Sequence, residues 1–222
     1  MTKITKSLTN SFVKSNIKPK KIWPEHSNSA DYEWIKNHSG VPWIDLKLDI
    51  PYKEILEEIK NNNKFLVDHR DEYGEHKGWK SFCIHGKSLT TTQHTEDNRP
   101  HLWIEEVKKN MPFTVEYFKS WNLNFQRLRV MALEPGGFVS VHQDGKKSAL
   151  GPINIAITQP DGCDFVIEGW GVVPFKPGKS FMLNVSNRHA VVNNSKEIRY
   201  HIIVHTKGFN DTFKKIIEES YV

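Results

Sequence analysis

The chain has 222 residues, a length that suits one domain with a substantial core. Lysine and arginine outnumber aspartate and glutamate by 31 to 26, and the resulting net charge of +5 is too small to indicate a nucleic-acid-binding protein. The two cysteines, Cys83 and Cys163, have no C-x-x-C spacing and provide no disulfide framework. With no secretory leader and no apolar run of about 18 residues, we expect a cytoplasmic protein with no membrane span.

The first part of the chain predicts an arm followed by a supporting region. Residues 1–40 are polar, with Trp23 and Trp34 as possible anchors against the rest of the molecule. Residues 41–124 then form a region that supports the core and faces the substrate. Within it, IDLKLDI (44–50) alternates apolar and polar residues and predicts a strand. Pro51 opens a predicted helix over 51–61, because proline is favoured at the first helical position.

The sequence pattern changes from loops to helices and then to strands after residue 65. Residues 65–100 are mixed and rich in loop-forming residues, and two helical patterns follow at 102–110 and 112–121. From residue 125, six short apolar-alternating runs are separated by turn sequences, which is typical of an all-β barrel or a jelly roll. We therefore predict a mainly β domain spanning 1–222, with its core at 125–206 and a closing helix at 209–219 within 207–222.

A candidate metal site lies within this β region. His142 and Asp144 are two residues apart, and side chains at i and i+2 of a strand point to the same face. His189 follows 47 residues after His142. Two histidines and one carboxylate that leave other coordination positions open form the facial triad of non-haem iron(II) oxygenases. Such an iron must still accept a bidentate co-substrate and dioxygen, so we predict His142, Asp144 and His189 as metal ligands.

Arg199 is the candidate anchor for an anionic co-substrate. It lies ten residues after His189 and begins a predicted strand, on the same face as His201 and His205. A planar guanidinium on an inward face can hold a carboxylate through two hydrogen bonds. The far carboxylate of 2-oxoglutarate needs a cation of this kind, because its other end chelates the iron.

These residues occur in two longer segments that resemble a known family. RLRVMALEPGGFVSVHQDG, followed by FKPGKSFMLNVSNRHAVVNNSKEIRYHIIVH, is similar to the aspartyl/asparaginyl β-hydroxylase family over about residues 125–206. The resemblance implies a double-stranded β-helix (a cupin-like jelly roll) flanked by helices. It also implies hydroxylation coupled to oxidative decarboxylation of 2-oxoglutarate. By the same resemblance, His142, Asp144 and His189 hold the iron, and Arg199 holds the co-substrate.

The sequence departs from the family pattern at the second co-substrate contact. Members often carry an Arg-x-His pair on the strand after the H-x-D loop, and here these positions are Pro152 and Asn154. Asn154 could still donate a hydrogen bond to the co-substrate, whereas Pro152 cannot. The carboxylate ligand, which some members lack, is present as Asp144.

Several further residues have both a functional and a structural interpretation. Arg127 and Arg129 share a strand face and are candidates for a co-substrate or substrate contact, with Arg129 the one we select as cofactor-binding. His201 and His205 could contact the co-substrate or be satisfied interior histidines, and of the two we select His201 as cofactor-binding. Three residues upstream of the core could line the substrate entrance: Arg70, Trp79 and His85. Core packing is the commoner role for a residue such as Trp79, and surface exposure is the commoner one for Arg70. Cys163, near a turn, is expected to be inert.

The predicted function is therefore a dioxygenase that uses Fe(II), 2-oxoglutarate and dioxygen to hydroxylate a C–H bond of a small-molecule or peptide substrate. The small basic excess weakly favours an acidic substrate. Two alternatives remain open. One is a cupin-like metalloenzyme without 2-oxoglutarate, such as an isomerase or a cysteine-type dioxygenase, and the other is a non-catalytic binding module. The sequence does not define the substrate or the oligomeric state.

Overall fold

The structure is a computed structural model that describes residues 42–69, 76–90, 99–144, 152–185, 187–207, 212, 215–216 and 219–220. The predicted arm at 1–40, with Trp23 and Trp34, lies outside the described residues. So does most of the closing helix predicted at 209–219, although residues 212, 215, 216 and 219 are helical. None of the helices described is long and apolar enough to cross a membrane.

The described elements are mainly strands. The helices are α1 Tyr52–Asn61, α2 Glu105–Asn110 and α3 Pro112–Ser120, with a short 3₁₀ helix at Asn63–Phe65. The strands are β1 Trp43–Leu46, β2 Val67–Asp68, β3 His76–Gly86, β4 Leu102–Trp103, β5 Phe125–His142, β6 Ile153–Ala156, β7 Cys163–Ile167, β8 Gly171–Val172, β9 Ser180–Leu183, β10 His189–Asn193 and β11 Arg199–Thr206.

The strands form one antiparallel sheet that folds as a jelly roll. Its main path runs β1-β9-β6-β11-β5-β10-β7-β8, and β3 joins from the side by pairing with β5. Phe175 contacts Phe165 of β7 and Phe181 of β9, so rings from distant parts of this path meet inside. The mainly β jelly-roll core predicted from the alternating runs is therefore confirmed.

The first two predicted runs of the core form one continuous strand. The sequence PGG at 135–137 predicted a turn between them, but β5 extends across it for 18 residues. Its first half pairs with β11, and its second half pairs with β10. Gly137 permits the passage, because a Cβ there would come within 2.7 Å of the Lys77 backbone oxygen on β3.

Other boundaries differ from those predicted. The loop-rich stretch 65–100 contains the 11-residue strand β3, so the sheet extends upstream of 125–206. The strand predicted over 44–50 ends at Leu46. The helix predicted from residue 102 begins at Glu105, because Leu102 and Trp103 pair with β3.

Successive side chains of β11 point alternately into the hydrophobic core and into a cavity. Tyr200, Ile202 and Val204 belong to the core that also contains Ile55 of α1 and Phe118 of α3. The opposite face carries other side chains, which line an internal cavity: Arg199, His201, Ile203 and His205. The register places these four opposite Leu133, Met131, Arg129 and Arg127 of β5. Polar side chains from neighbouring strands therefore meet in the interior.

Glu58 of α1 caps the first turn of α3. Its carboxylate accepts hydrogen bonds from the backbone N–H groups of Phe113 and Thr114, at 3.0 and 2.9 Å, and from the Thr114 hydroxyl. We expect Glu58→Ala to lower the free energy of unfolding by roughly 1–3 kcal/mol, because it leaves the N–H and hydroxyl of the buried Thr114 without an acceptor. Urea unfolding measures this, with the exposed Glu57→Ala on the same helix as control. Equal stability of the two variants would contradict the capping role.

Candidate active site

The face of β11 described above opens onto a cavity of about 830 Å³. Neighbouring strands contribute Arg127, Arg129 and Asn154, and the end of β5 contributes His142. Within the described lining, three arginines accompany a single carboxylate, that of Asp144. The cavity is therefore an environment that favours anions.

His142, Asp144 and His189 converge at one point of this cavity. Their potential ligand atoms all lie within 4.8 Å of one another, and no other such group of His, Cys, Asp or Glu occurs in the described part of the chain. The Nε2 atom of His142 is 3.9 Å from Oδ1 of Asp144. The antiparallel register of β5 and β10 places His189 directly opposite His142. Strand pairing therefore brings together residues that are 47 positions apart.

The backbone orients both imidazoles. Nδ1 of His142 lies 2.7 Å from the Ser140 carbonyl oxygen, and Nδ1 of His189 lies 2.9 Å from that of Asn187. A carbonyl can only accept, so each Nδ1 carries the proton and each Nε2 keeps its lone pair for a metal. Asp144 is held by its own backbone N–H, which donates to the Val185 carbonyl at 2.9 Å.

Burial keeps His189 in the form that binds a metal. Its ring stacks on Phe165 at 5.3 Å, and burial lowers the pKa of His189 to about 4, with the neighbouring His142 adding to the effect. The ring is therefore neutral at physiological pH. Two oriented imidazoles and one carboxylate match the donor set of a divalent first-row metal such as iron(II).

Arg199 is buried in the same cavity without a carboxylate partner among the described residues. Its Nε donates to Oε1 of Gln159 at 3.2 Å, and its Nη2 lies 2.8 Å from Nδ1 of His201. The guanidinium also lies 5.7 Å from the centre of the Phe175 ring. Burial lowers the pKa of Arg199 to about 10, which leaves it charged at neutral pH. A buried cation with neutral neighbours suits an anionic ligand.

The other predicted site residues line the same cavity, and both ring nitrogens of His201 have partners within the protein. Asn154, Arg127, Arg129 and His205 line the cavity. His201 lines it too, but both of its ring nitrogens are engaged within the protein, by Arg199 and by Gln159. It therefore has no ring nitrogen left for a direct bond to the co-substrate. Pro152 lies at the cavity wall, beside β6.

Of the residues proposed for the substrate entrance, Trp79 lines the cavity and His85 does not. Trp79 lines the cavity and packs edge-on against His69, whose ring centre is 4.1 Å away. His85 is outside the cavity lining and packs against Trp103, and burial lowers the pKa of His85 to about 4. Arg70 lies outside the described residues. Cys163 is buried, and burial raises the pKa of its thiol to about 11, which agrees with the inert role expected for it.

Three residues near the site were not identified from the sequence. Gln159 contacts Arg199 and His201, Asn187 orients His189 through its carbonyl, and Phe175 packs against both Arg199 and His201. Their importance depends on contacts between distant segments, and neither spacing nor residue type marks them in the sequence.

The family model for aspartyl/asparaginyl β-hydroxylases matches residues 50–207. The chain belongs to the aspartyl/asparaginyl β-hydroxylase family. Membership supports an oxygenase of the hydroxylase type that uses iron(II) and 2-oxoglutarate, as the resemblance implied. The matched range also includes β3, α1 and the other elements from residue 50 onward, upstream of the 125–206 resemblance.

Solved structures similar to this family member are distant in sequence. A prolyl-4-hydroxylase from Pseudomonas putida is 12% identical, with a TM-score of 0.46 over 80% of this chain and 100% of the other. An oxidoreductase of the 2OG-Fe(II) oxygenase family from Burkholderia pseudomallei is 15% identical, with a TM-score of 0.45 over 82% and 94%. The viral collagen prolyl hydroxylase from Paramecium Bursaria Chlorella virus-1 is 13% identical, with a TM-score of 0.43 over 74% and 95%. No curated protein matches the chain.

Proposed function

We propose that this protein is a dioxygenase that hydroxylates a C–H bond of a small-molecule or peptide substrate and converts 2-oxoglutarate to succinate and carbon dioxide. The observation that carries the proposal is the presence in one cavity of a His-Asp-His triad and a buried arginine, Arg199, without a carboxylate partner among the described residues. Either feature alone would suit other proteins, but together they suit a metal and a dicarboxylate.

The residues have separate roles in this proposal. His142, Asp144 and His189 would hold the iron, and a triad of this kind would leave further coordination positions for a co-substrate and dioxygen. Arg199 would bind the far carboxylate of 2-oxoglutarate. When bound, iron(II) activates dioxygen, and the decarboxylation of 2-oxoglutarate supplies the two electrons that this requires. The surrounding cavity would orient the substrate and limit access of water.

Asn154 and Arg129 are the further co-substrate contacts that we propose. The register places both beside Ile203 of β11, Asn154 on β6 and Arg129 on β5, and both side chains line the cavity. An amide and a guanidinium can each donate to a carboxylate. This assignment would replace the Arg-x-His pair, whose positions are Pro152 and Asn154 in this chain.

Succinate release tests the proposed function and separates it from the alternatives. The purified protein with Fe(II) and 2-oxoglutarate should form succinate slowly even without substrate, and EDTA or exclusion of dioxygen should stop it. Mass spectrometry measures the succinate formed. Tight Fe(II) binding with neither succinate formation nor 2-oxoglutarate binding would favour a cupin-like metalloenzyme. Absence of Fe(II) binding, 2-oxoglutarate binding and succinate formation would favour a binding module.

A further inference from the structure

Gln159 lies in the loop between β6 and β7 and forms a closed hydrogen-bond network with Arg199 and His201. Its Oε1 atom is 3.2 Å from Nε of Arg199 and 3.1 Å from Nε2 of His201, and its Nε2 atom contacts the Cys163 carbonyl. Nη2 of Arg199 closes the ring at 2.8 Å from Nδ1 of His201. His201 is fully buried and Arg199 is nearly so.

The Cys163 carbonyl fixes the orientation of the Gln159 amide. A backbone carbonyl can only accept a hydrogen bond, so the amide nitrogen of Gln159 must face it as the donor. The amide oxygen therefore faces Arg199 and His201, and it accepts from both. One backbone group thus sets the direction of every other bond in the network.

The same logic fixes the protonation of His201. Its Nε2 must carry a proton to donate to Oε1 of Gln159, and its Nδ1 must be unprotonated to accept from Arg199. A doubly protonated ring would turn an N–H group towards the guanidinium. Burial and the adjacent guanidinium accordingly keep the pKa of His201 well below its usual value. His201 is therefore a neutral ring in a single tautomer.

These contacts use one edge of the Arg199 guanidinium. An arginine has five N–H donors, and the Nε and Nη2 donors on its side edge are bound to Gln159 and His201. The end edge, formed by Nη1 and the second N–H of Nη2, can then present a two-pronged donor to a carboxylate. Phe175 packs against both the guanidinium and the ring of His201, which further limits their movement.

We propose that Gln159 is a positioning residue for the co-substrate: with His201, it holds the side edge of Arg199 and directs the end edge to the far carboxylate of 2-oxoglutarate. The proposal rests on the proposed function for the identity of that carboxylate. It adds that the co-substrate affinity depends on a residue that does not touch the co-substrate and acts only through Arg199.

Isothermal titration calorimetry of 2-oxoglutarate into the Mn(II)-loaded protein tests this without turnover. Gln159→Leu should raise the dissociation constant about tenfold or more, because a hydrogen bond to a charged group is lost and the guanidinium can rotate. Mn(II) affinity should remain within about twofold of wild type, since the hydrogen bonds of Gln159 go to Cys163, Arg199 and His201 and to none of the triad residues. In the Arg199→Lys background the same change should have an effect of less than about twofold, because lysine has no side edge to hold.

Thr158→Val is the matched control in the same loop. The Thr158 hydroxyl donates to the Ile198 carbonyl at 3.1 Å and accepts from the Tyr200 N–H at 2.8 Å, without contacting Arg199. Its loss should lower the melting temperature but leave the 2-oxoglutarate dissociation constant near that of wild type. If Thr158→Val weakened 2-oxoglutarate binding as much as Gln159→Leu, the effect would be general loop damage, and the proposal would be overturned.

Nitrogen-15 NMR of the histidine rings tests the network in the unaltered protein, and a variant is needed only to assign the signal of His201. His201, assigned by its absence in His201→Gln, should remain neutral with the proton on Nε2 between about pH 6 and 8. A proton on Nδ1, or a charged ring, would overturn the network. Equal and additive effects of Gln159→Leu in the wild-type and Arg199→Lys backgrounds would overturn the positioning role. If wild type itself failed to bind 2-oxoglutarate while the NMR result held, the proposed function would fail instead.

Discussion

Replacing His142 by alanine should weaken Fe(II) binding by about a hundredfold or more, because even residues that only orient metal ligands commonly contribute ten- to a hundredfold. The remaining pair, Asp144 and His189, offers two ligands in place of three. The metal-free variant should unfold within a few degrees of wild type, because the side chain of His142 is 28% exposed at the end of β5 and little packing is lost. Anaerobic Fe(II) titration against a competing chelator measures the affinity, and calorimetry measures the unfolding.

His101→Ala is the control for this experiment. His101 is a partly exposed histidine outside the cavity lining, and its loss should leave the tight site unchanged. An Fe(II) affinity of His142→Ala close to that of wild type would exclude the triad as the metal site. A fall of equal size in both variants would indicate that iron binds to surface histidines without a defined site.

Part of the triad could be predicted from sequence because His142 and Asp144 are close together in the chain. His142 is the last residue of β5, and Asp144 lies two residues beyond it, so the period of two predicted their proximity. The hydrogen bond from the Asp144 N–H to the Val185 carbonyl then holds Asp144 beside the strand end. His189 required the pairing of β5 with β10, which no spacing rule specifies. His189 was predicted because it completes a set of two histidines and one carboxylate, which indicates a metal site more strongly than a single His-x-Asp pair does.

The parts that were not predicted depend on pairing between distant segments. β3 lies in a stretch rich in loop-forming residues, and it becomes a strand because β5 offers an edge for eight of its residues. The sequence PGG predicted a turn, but Gly137 instead allows close approach of the Lys77 backbone. The role of Gln159 depends on contacts about 40 positions away, with Arg199 and His201. Turn propensity and periodicity report only local preference, and these features arise from tertiary contacts.

Arg199→Ala should weaken 2-oxoglutarate binding about thirtyfold or more while changing Fe(II) affinity little. Truncating one partner of a buried, hydrogen-bonded charge pair costs on the order of 2–5 kcal/mol, and each 1.4 kcal/mol is a factor of ten. The hydrogen-bond partners of Arg199 are the neutral side chains of Gln159 and His201, and β11 carries no second arginine or lysine that could take its place. Succinate production as a function of 2-oxoglutarate concentration gives the KM, and calorimetry with Mn(II) gives the dissociation constant.

Arg199→Lys and Lys179→Ala separate the causes of this effect. Lysine restores the charge but not the planar fork, so it should recover part of the affinity. Lys179 forms an exposed ion pair with Asp45 at 3.2 Å and does not line the cavity, so Lys179→Ala, which also removes one positive charge, should leave the KM unchanged. Superimposable curves for wild type, Arg199→Ala and Arg199→Lys would make Arg199 a structural residue and remove the assignment of 2-oxoglutarate. A KM for Arg199→Lys between the other two would show that binding depends on both the charge of the anchor and the geometry of its donors.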